Sequence, residues 1–259
     1  MLSGRASSIE FPEIESIYDR YAALETFSTE LSGWLLLHSL LDREGVALNI
    51  AANVAGLNSL CVEPEAALAK QAMRAGICDF MVTDLDEALR IFENERRKQR
   101  SISIALVGEP NLSAAEVMER GVLPELVHLR LEDATHRQIP EVDAMLARGS
   151  RLLPECHEYC QMIPVHWSVA REPMRWLPLA DFRAADSLDR RHAATPWRRR
   201  WIEGGPRYLG RHFAEERFLR MTSGEADAFF AAVQHDVEAG EIQVAVSVVR
   251  NGEEELALS

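Results

Sequence analysis

The segment Gly45–Phe92, GVALNIAANVAGLNSLCVEPEAALAKQAMRAGICDFMVTDLDEALRIF, leaves few architectures open. Val46, Ile50 and Val54, spaced by four, give an apolar helical face that runs into the short β-type run Asn58–Val62. Glu63 closes that run, a second helix follows, then Phe80-Met81-Val82, then a helix opened by Asp84. Helix, strand, helix, strand, helix is the alternation of a parallel α/β sheet. Glu63 occupies the strand-end position at which a dinucleotide fold places the acid that binds a ribose diol. A solvated carboxylate at a strand end is the plainer alternative.

The flanking sequence extends the pattern. A helix is expected from Ile14 to Glu30, with Ile17, Tyr21, Leu24 and Phe27 on one face. Trp34–His38 is a continuous apolar run, the mark of a strand buried on both faces. Asp84 and Glu87 form the pattern of a capping box. Ile102–Val107 and Leu126–Leu129 read as further strands, with helices opening at Ser113 and spanning Glu141–Arg148. The fold expected is α/β: a Rossmann-like parallel sheet with helices on both faces over residues 21–150, after an N-terminal tail of residues 1–20. A smaller C-terminal α/β lobe over 151–259 completes it.

The turn after the first strand does the phosphate work in a nucleotide-binding α/β domain, and it needs glycines so that backbone amides can approach the pyrophosphate. Here that turn is Ser39–Gly45, with one glycine and two acids, Asp42 and Glu44. Charge limits the partners as well. A net charge of −13 opposes nucleic acid and anionic membrane surfaces, and no apolar run is long enough to span a bilayer. With four cysteines in 259 residues and no apolar leader at the N-terminus, a reducing cytoplasm is expected.

Several segments together carry a family resemblance. SLCVEPEAALAKQAMRAGICDFMVTDLDEAL, then SISIALVG, then ERGVLPELV resemble the NAD-binding domain of urocanase (urocanate hydratase). Glu172–Trp176 resembles that family's PFRW element, and Gly224–Arg250 its later helix and strand, so the resemblance runs in order over most of residues 21–250. It implies a Rossmann-like domain, NAD as electrophile and a homodimer. The departures are as informative. The family's loop GLGGMGGAQ corresponds to Leu40–Leu48, with nearly every glycine replaced, and its reactive cysteine falls at Ser168. The DQTSAHD segment is replaced from Leu129 onward, and nothing here corresponds to the family's N-terminal substrate-binding third.

These departures lead us to expect a urocanase-like protein without NAD binding or urocanate hydration, and with no cofactor unless the family site survives. Its fold would serve a small-molecule ligand, a small anion being the candidate, or a protein partner, with self-association a further expectation. The alternative is a lyase-type site rebuilt from His166, Ser168, Arg171 and Arg175 between the two lobes. Cys156, His157 and Cys160 are candidate metal ligands, although thiols spaced by four on a helix behave as core. Cys61 and Cys78 read as core. The basic stretch Arg190–Trp201 suits either an anion clamp or a solvated helix whose arginines pair with acids. Gly204-Gly205-Pro206 reads as a turn, and Ile242–Val248 with Asn251-Gly252 as a C-terminal hairpin.

Overall fold

The structure, a computed structural model, describes residues 8–27, 31–98, 100–130, 140–154 and 162–257. It divides into two compact units, Met1–His157 and Glu158–Ser259.

The first unit is built on six parallel strands: β1 (Leu35–Ser39), β2 (Asn58–Glu63), β3 (Phe80–Val82), β4 (Ser103–Val107), β5 (Leu126–His128) and β6 (Arg151–Leu152). Their spatial order is β3-β4-β2-β1-β5-β6. Among the described residues, six helices alternate with them: α1 (Ile14–Glu25), α2 (Arg43–Ala55), α3 (Ala66–Ala75), α4 (Leu85–Arg97), α5 (Pro110–Glu119) and α6 (Pro140–Ala147). The helix expected to reach Glu30 ends at Glu25, and residues 28–30 lie outside the described set. α5 opens three residues before Ser113, because Pro110 supplies a preset first helical residue whose missing N–H costs nothing there.

Strand alternation divides the sheet residues between two layers. Leu37, Leu60, Val62, Ile104, Leu106 and Val127 pack with Leu85 and Ala88 of α4, Ala114 and Val117 of α5, and Val142 and Met145 of α6. The opposite face meets α2 through polar as well as apolar groups. Asn49 Oδ1 lies 3.0 Å from His38 Nε2 and accepts from Ser59 Oγ, also at 3.0 Å. Burial is the main force on His38, lowering its pKa to about 3, so the ring is neutral inside an otherwise apolar strand. Cys61 and Cys78 are buried free thiols, and burial raises both, Cys78 to about 12. They are inert core, not nucleophiles.

The second unit has a four-stranded antiparallel sheet in the order β10-β9-β7-β8: β7 (Ile163–Val169), β8 (Glu216–Met221), β9 (Val246–Arg250) and β10 (Glu253–Ala257). Among the described residues three α-helices accompany it, α7 (Pro173–Asp186), α8 (Thr195–Leu209) and α9 (Ser223–Glu238). The hairpin turns at Asn251 and Gly252, whose φ values of 50° and 85° are the paired positive angles a two-residue turn requires. Gly204-Gly205-Pro206 is not a turn but lies within α8. Trp201, Gly205 and Leu209, all buried at spacing four, carry the helix through it. No helix among the described residues is long and apolar enough to cross a membrane.

Candidate functional site

Chain order reverses beside β1: β2 pairs with one edge and β5 with the other. The carboxyl ends of β1 and β5 therefore flank the crevice at which open α/β sheets bind ligands. Into it project the β1–α2 turn, the N-terminus of α2 and the residues that follow β5.

The turn has an unusual backbone. Leu40 adopts φ 67°, a left-handed conformation that favours glycine, and it aligns with the first glycine of the resembling loop. Its N–H donates to the Val62 carbonyl at 2.9 Å. The next amide, Leu41 N–H, donates to Glu63 Oε2 at 2.6 Å, and Glu63 Oε1 accepts from Glu65 N–H at 2.8 Å. Glu63 is fully buried. It is neither a solvated strand end nor a carboxylate open to a ribose, but a strut that ties β2 to the turn.

The N-terminus of α2 is closed in the same manner. Asp42, the N-cap, accepts from Gly45 N–H at 2.9 Å. Arg130, two residues past β5, forks onto Asp42 with hydrogen bonds of 2.9 and 2.6 Å and reaches Glu44 at 3.1 Å. Ser39 Oγ donates to the Arg130 carbonyl at 2.7 Å, pinning that segment to β1. Glu44 also meets Arg20 at 2.6 Å and His128 Nε2 at 3.2 Å. The His128 hydrogen bond, with Arg130 and Arg20 adding to it against burial, lowers the Glu44 pKa to about 2. Burial opposes the charge on Arg130, but Asp42 and Glu44 outweigh it and raise its pKa.

The crevice is thus lined by a self-neutralising ionic cluster. Pyrophosphate recognition uses unengaged backbone amides and a helix N-terminus without competing negative charge. Here the amides of Leu41 and Gly45 are engaged by Glu63 and Asp42, and Glu44 adds a further carboxylate. The residues present do not fit a dinucleotide's phosphates. Sequence showed the acids and the lost glycines; it did not show Arg20, from α1, and His128 and Arg130, from the end of β5, converging on them.

The other candidates are dispersed. His166 and Ser168 share the partly exposed face of β7, where the His166 ring lies 4.7 Å from that of Phe218. Arg175 belongs to α7, which packs on the alternate face: Trp167 Nε1 donates to Asp181 of that helix at 2.9 Å. The Arg175 guanidinium lies over the Trp176 ring and reaches Glu172 at 3.5 Å, an exposed and weak pair. Arg171 is exposed. Cys156, His157 and Cys160 lie outside the described residues, among which no group of His, Cys, Asp or Glu could hold a metal ion. In the basic stretch, Arg190 is exposed with only a long 4.0 Å contact to Asp186, whereas Arg198 is fully buried against Glu225. The second unit also holds a cavity of about 480 Å³ bordered by α7 and α8.

Residues 18–136 match the family model described as the urocanase Rossmann-like domain.

Proposed function

We propose, from the premise that this chain is a urocanase-family relative whose residues 18–136 form that family's Rossmann-like domain, that it has lost NAD binding and urocanate hydration and serves as a binding protein. The observation that carries this reading is the occupation of the β1–α2 turn by the chain's own carboxylates. Glu63 takes the Leu41 amide and Asp42 the Gly45 amide, with Arg130 locking Asp42 in place. For a phosphate to enter, it would have to displace the half-exposed Asp42 from Gly45 and Arg130 and break the Leu41 bond to Glu63, leaving a fully buried carboxylate short of a donor. Such a loss costs a few kcal/mol, about 3 for a buried charge. A small molecule is the favoured class of ligand, because the second unit holds a cavity within the size range of small-molecule sites.

The test is calorimetric titration of NAD into the purified chain. No saturable heat is expected up to about 1 mM, the regime of negligible specific affinity. A micromolar dissociation constant, or cofactor retained through purification, would overturn the reading, as would hydration of urocanate by the chain at a rate above background.

A further inference from the structure

The cavity in the second unit has a composition that selects among ligands. α7 contributes Pro173, Met174, Pro178, Asp181, Phe182 and Ala185, at the three- and four-residue steps of a single helical stripe. A stripe of this kind is ordinarily buried. Here Met174 is 86% exposed and Phe182 62% exposed, so the apolar rim is left open to solvent. Ile202 of α8 and Phe213 add apolar wall opposite.

The polar groups are mostly acceptors. Pro178 and Pro206 sit inside their helices and have no N–H, so the carbonyls four residues back, on Met174 and Ile202, lack their helical donor. Both of those residues line the cavity. Asp181, itself nearly buried, accepts from Trp167 Nε1 at 2.9 Å and from Arg217 Nε at 3.1 Å. Arg217 is the one cation among the described lining residues, and it is committed to Asp181 and to the carbonyls of Phe213 and Glu216, at 3.0 and 2.9 Å. Glu203 is exposed at the wall and has no ion-pair partner among the described residues. Among the described lining residues, with Asp181 and Arg217 cancelling, the unbalanced charge is the Glu203 carboxylate, in a protein whose net charge is −13.

We infer that this cavity binds a small apolar molecule carrying a protonated amine. Its hydrocarbon or aromatic body lies against Met174, Phe182, Ile202 and Phe213, and its ammonium group answers Glu203 and the acceptor-rich wall. The inference replaces the small anion expected on sequence with a ligand of opposite charge, and it does not depend on the state of the crevice in the first unit.

The experiment is titration of the full chain with three isosteric probes: 3-phenylpropylamine, 3-phenylpropanol and 3-phenylpropionate. The amine is expected to bind at least about tenfold more tightly than the carboxylate, with the alcohol between them. Glu203→Gln, an exposed substitution, should weaken the amine by about threefold and leave the alcohol unchanged. Ala185→Trp should abolish binding of all three by filling the space. Should that variant prove unstable, Phe182→Ala at the exposed rim replaces it and must weaken all three. Equal or tighter binding of the carboxylate, indifference to both cavity variants, or no binding of any probe at millimolar concentration would overturn the inference. A heat signal with NAD that persists in the presence of saturating amine would instead count against the reading of the first unit alone.

Discussion

Alanine at Gly45 is expected to destabilise the first unit by more than about 4 kcal/mol, beyond the ordinary range for overpacking. A Cβ at this position would sit 1.7 Å from the carbonyl oxygen of Leu40 and 2.9 Å from its carbon, closer than any real contact. The obstacle is backbone, and the backbone is fixed on both sides. Leu40 N–H is bonded to Val62 O and Leu41 N–H to the buried Glu63, so the turn cannot retreat without breaking the β1–β2 junction. Nor can α2 shift, because it is buried along nearly its whole length. Thermal unfolding followed by circular dichroism should show a fall in Tm of more than about 10 °C, or insoluble protein. Gly204→Ala is the control, since no atom lies within 4 Å of its Cβ position in α8. It should be neutral or stabilising by up to about 1 kcal/mol, from helix propensity. A Gly45→Ala variant as stable as that control would show that the turn is pliable, and the filled-crevice reading would lose its rigidity argument.

Gly45 illustrates what was legible in this sequence and what was not. The alternation of periods from Gly45 to Phe92 identified the α/β class, and the apolar runs placed β1 to β5 to within a residue, while the short edge strand β6 was not foreseen. Asp84 caps α4, accepting from Glu87 N–H at 2.9 Å, one half of the capping box that its spacing with Glu87 indicated. The Asn251-Gly252 hairpin was legible because its turn geometry is set by two adjacent residues. All these signals are local. In sequence Gly45 is only the one glycine of the β1–α2 turn, whereas its role is to let a carbonyl approach. That depends on Leu40 and α2 meeting in space.

The same limit explains the other misses. Gly204-Gly205-Pro206 carries the local signature of a turn, yet the buried stripe Trp201, Gly205, Leu209 outweighs it and the helix continues. Glu63 was legible as a strand-end acid but not as a buried one, since its partners Leu41 and Glu65 engage it only after β1 and β2 pair. The ionic cluster at the crevice draws on Arg20, Asp42, Glu44, His128 and Arg130, from three segments that no short window contains. The cavity likewise arises where the stripe of α7 faces Ile202, Glu203 and Pro206 of α8.

Arg198→Met is expected to destabilise the second unit by about 3–5 kcal/mol, the cost of leaving a buried carboxylate without its counter-ion. Both residues are buried. Arg198 Nη1 donates to Glu225 Oε2 at 2.7 Å and Nη2 to Oε1 at 2.9 Å. Glu225 also accepts from the amides of Thr222 and Asp189, each at 2.8 Å, so one side chain joins the start of α9, the loop before α8 and α8 itself. Burial alone would raise its pKa, but the Arg198 hydrogen bonds, the two amides and the Arg198 charge reverse this and hold it at about 2, against an ordinary 4.5. A carboxyl depressed in the folded state contributes stability above its unfolded pKa and loses it as pH falls towards the folded value. The wild-type chain should therefore lose about 3 kcal/mol between pH 4.5 and 2 from this group alone. In Arg198→Met the burial effect is no longer outweighed, the folded pKa rises, and the acid loss should flatten or reverse. Arg198→Met/Glu225→Gln removes both charges and should recover part of the loss at neutral pH. Urea unfolding at pH 7, 4.5 and 3 separates the cases. If Arg198→Met is destabilised yet keeps the wild-type acid slope, Arg198 acts through its volume, and the ion pair is not what joins α8 to α9.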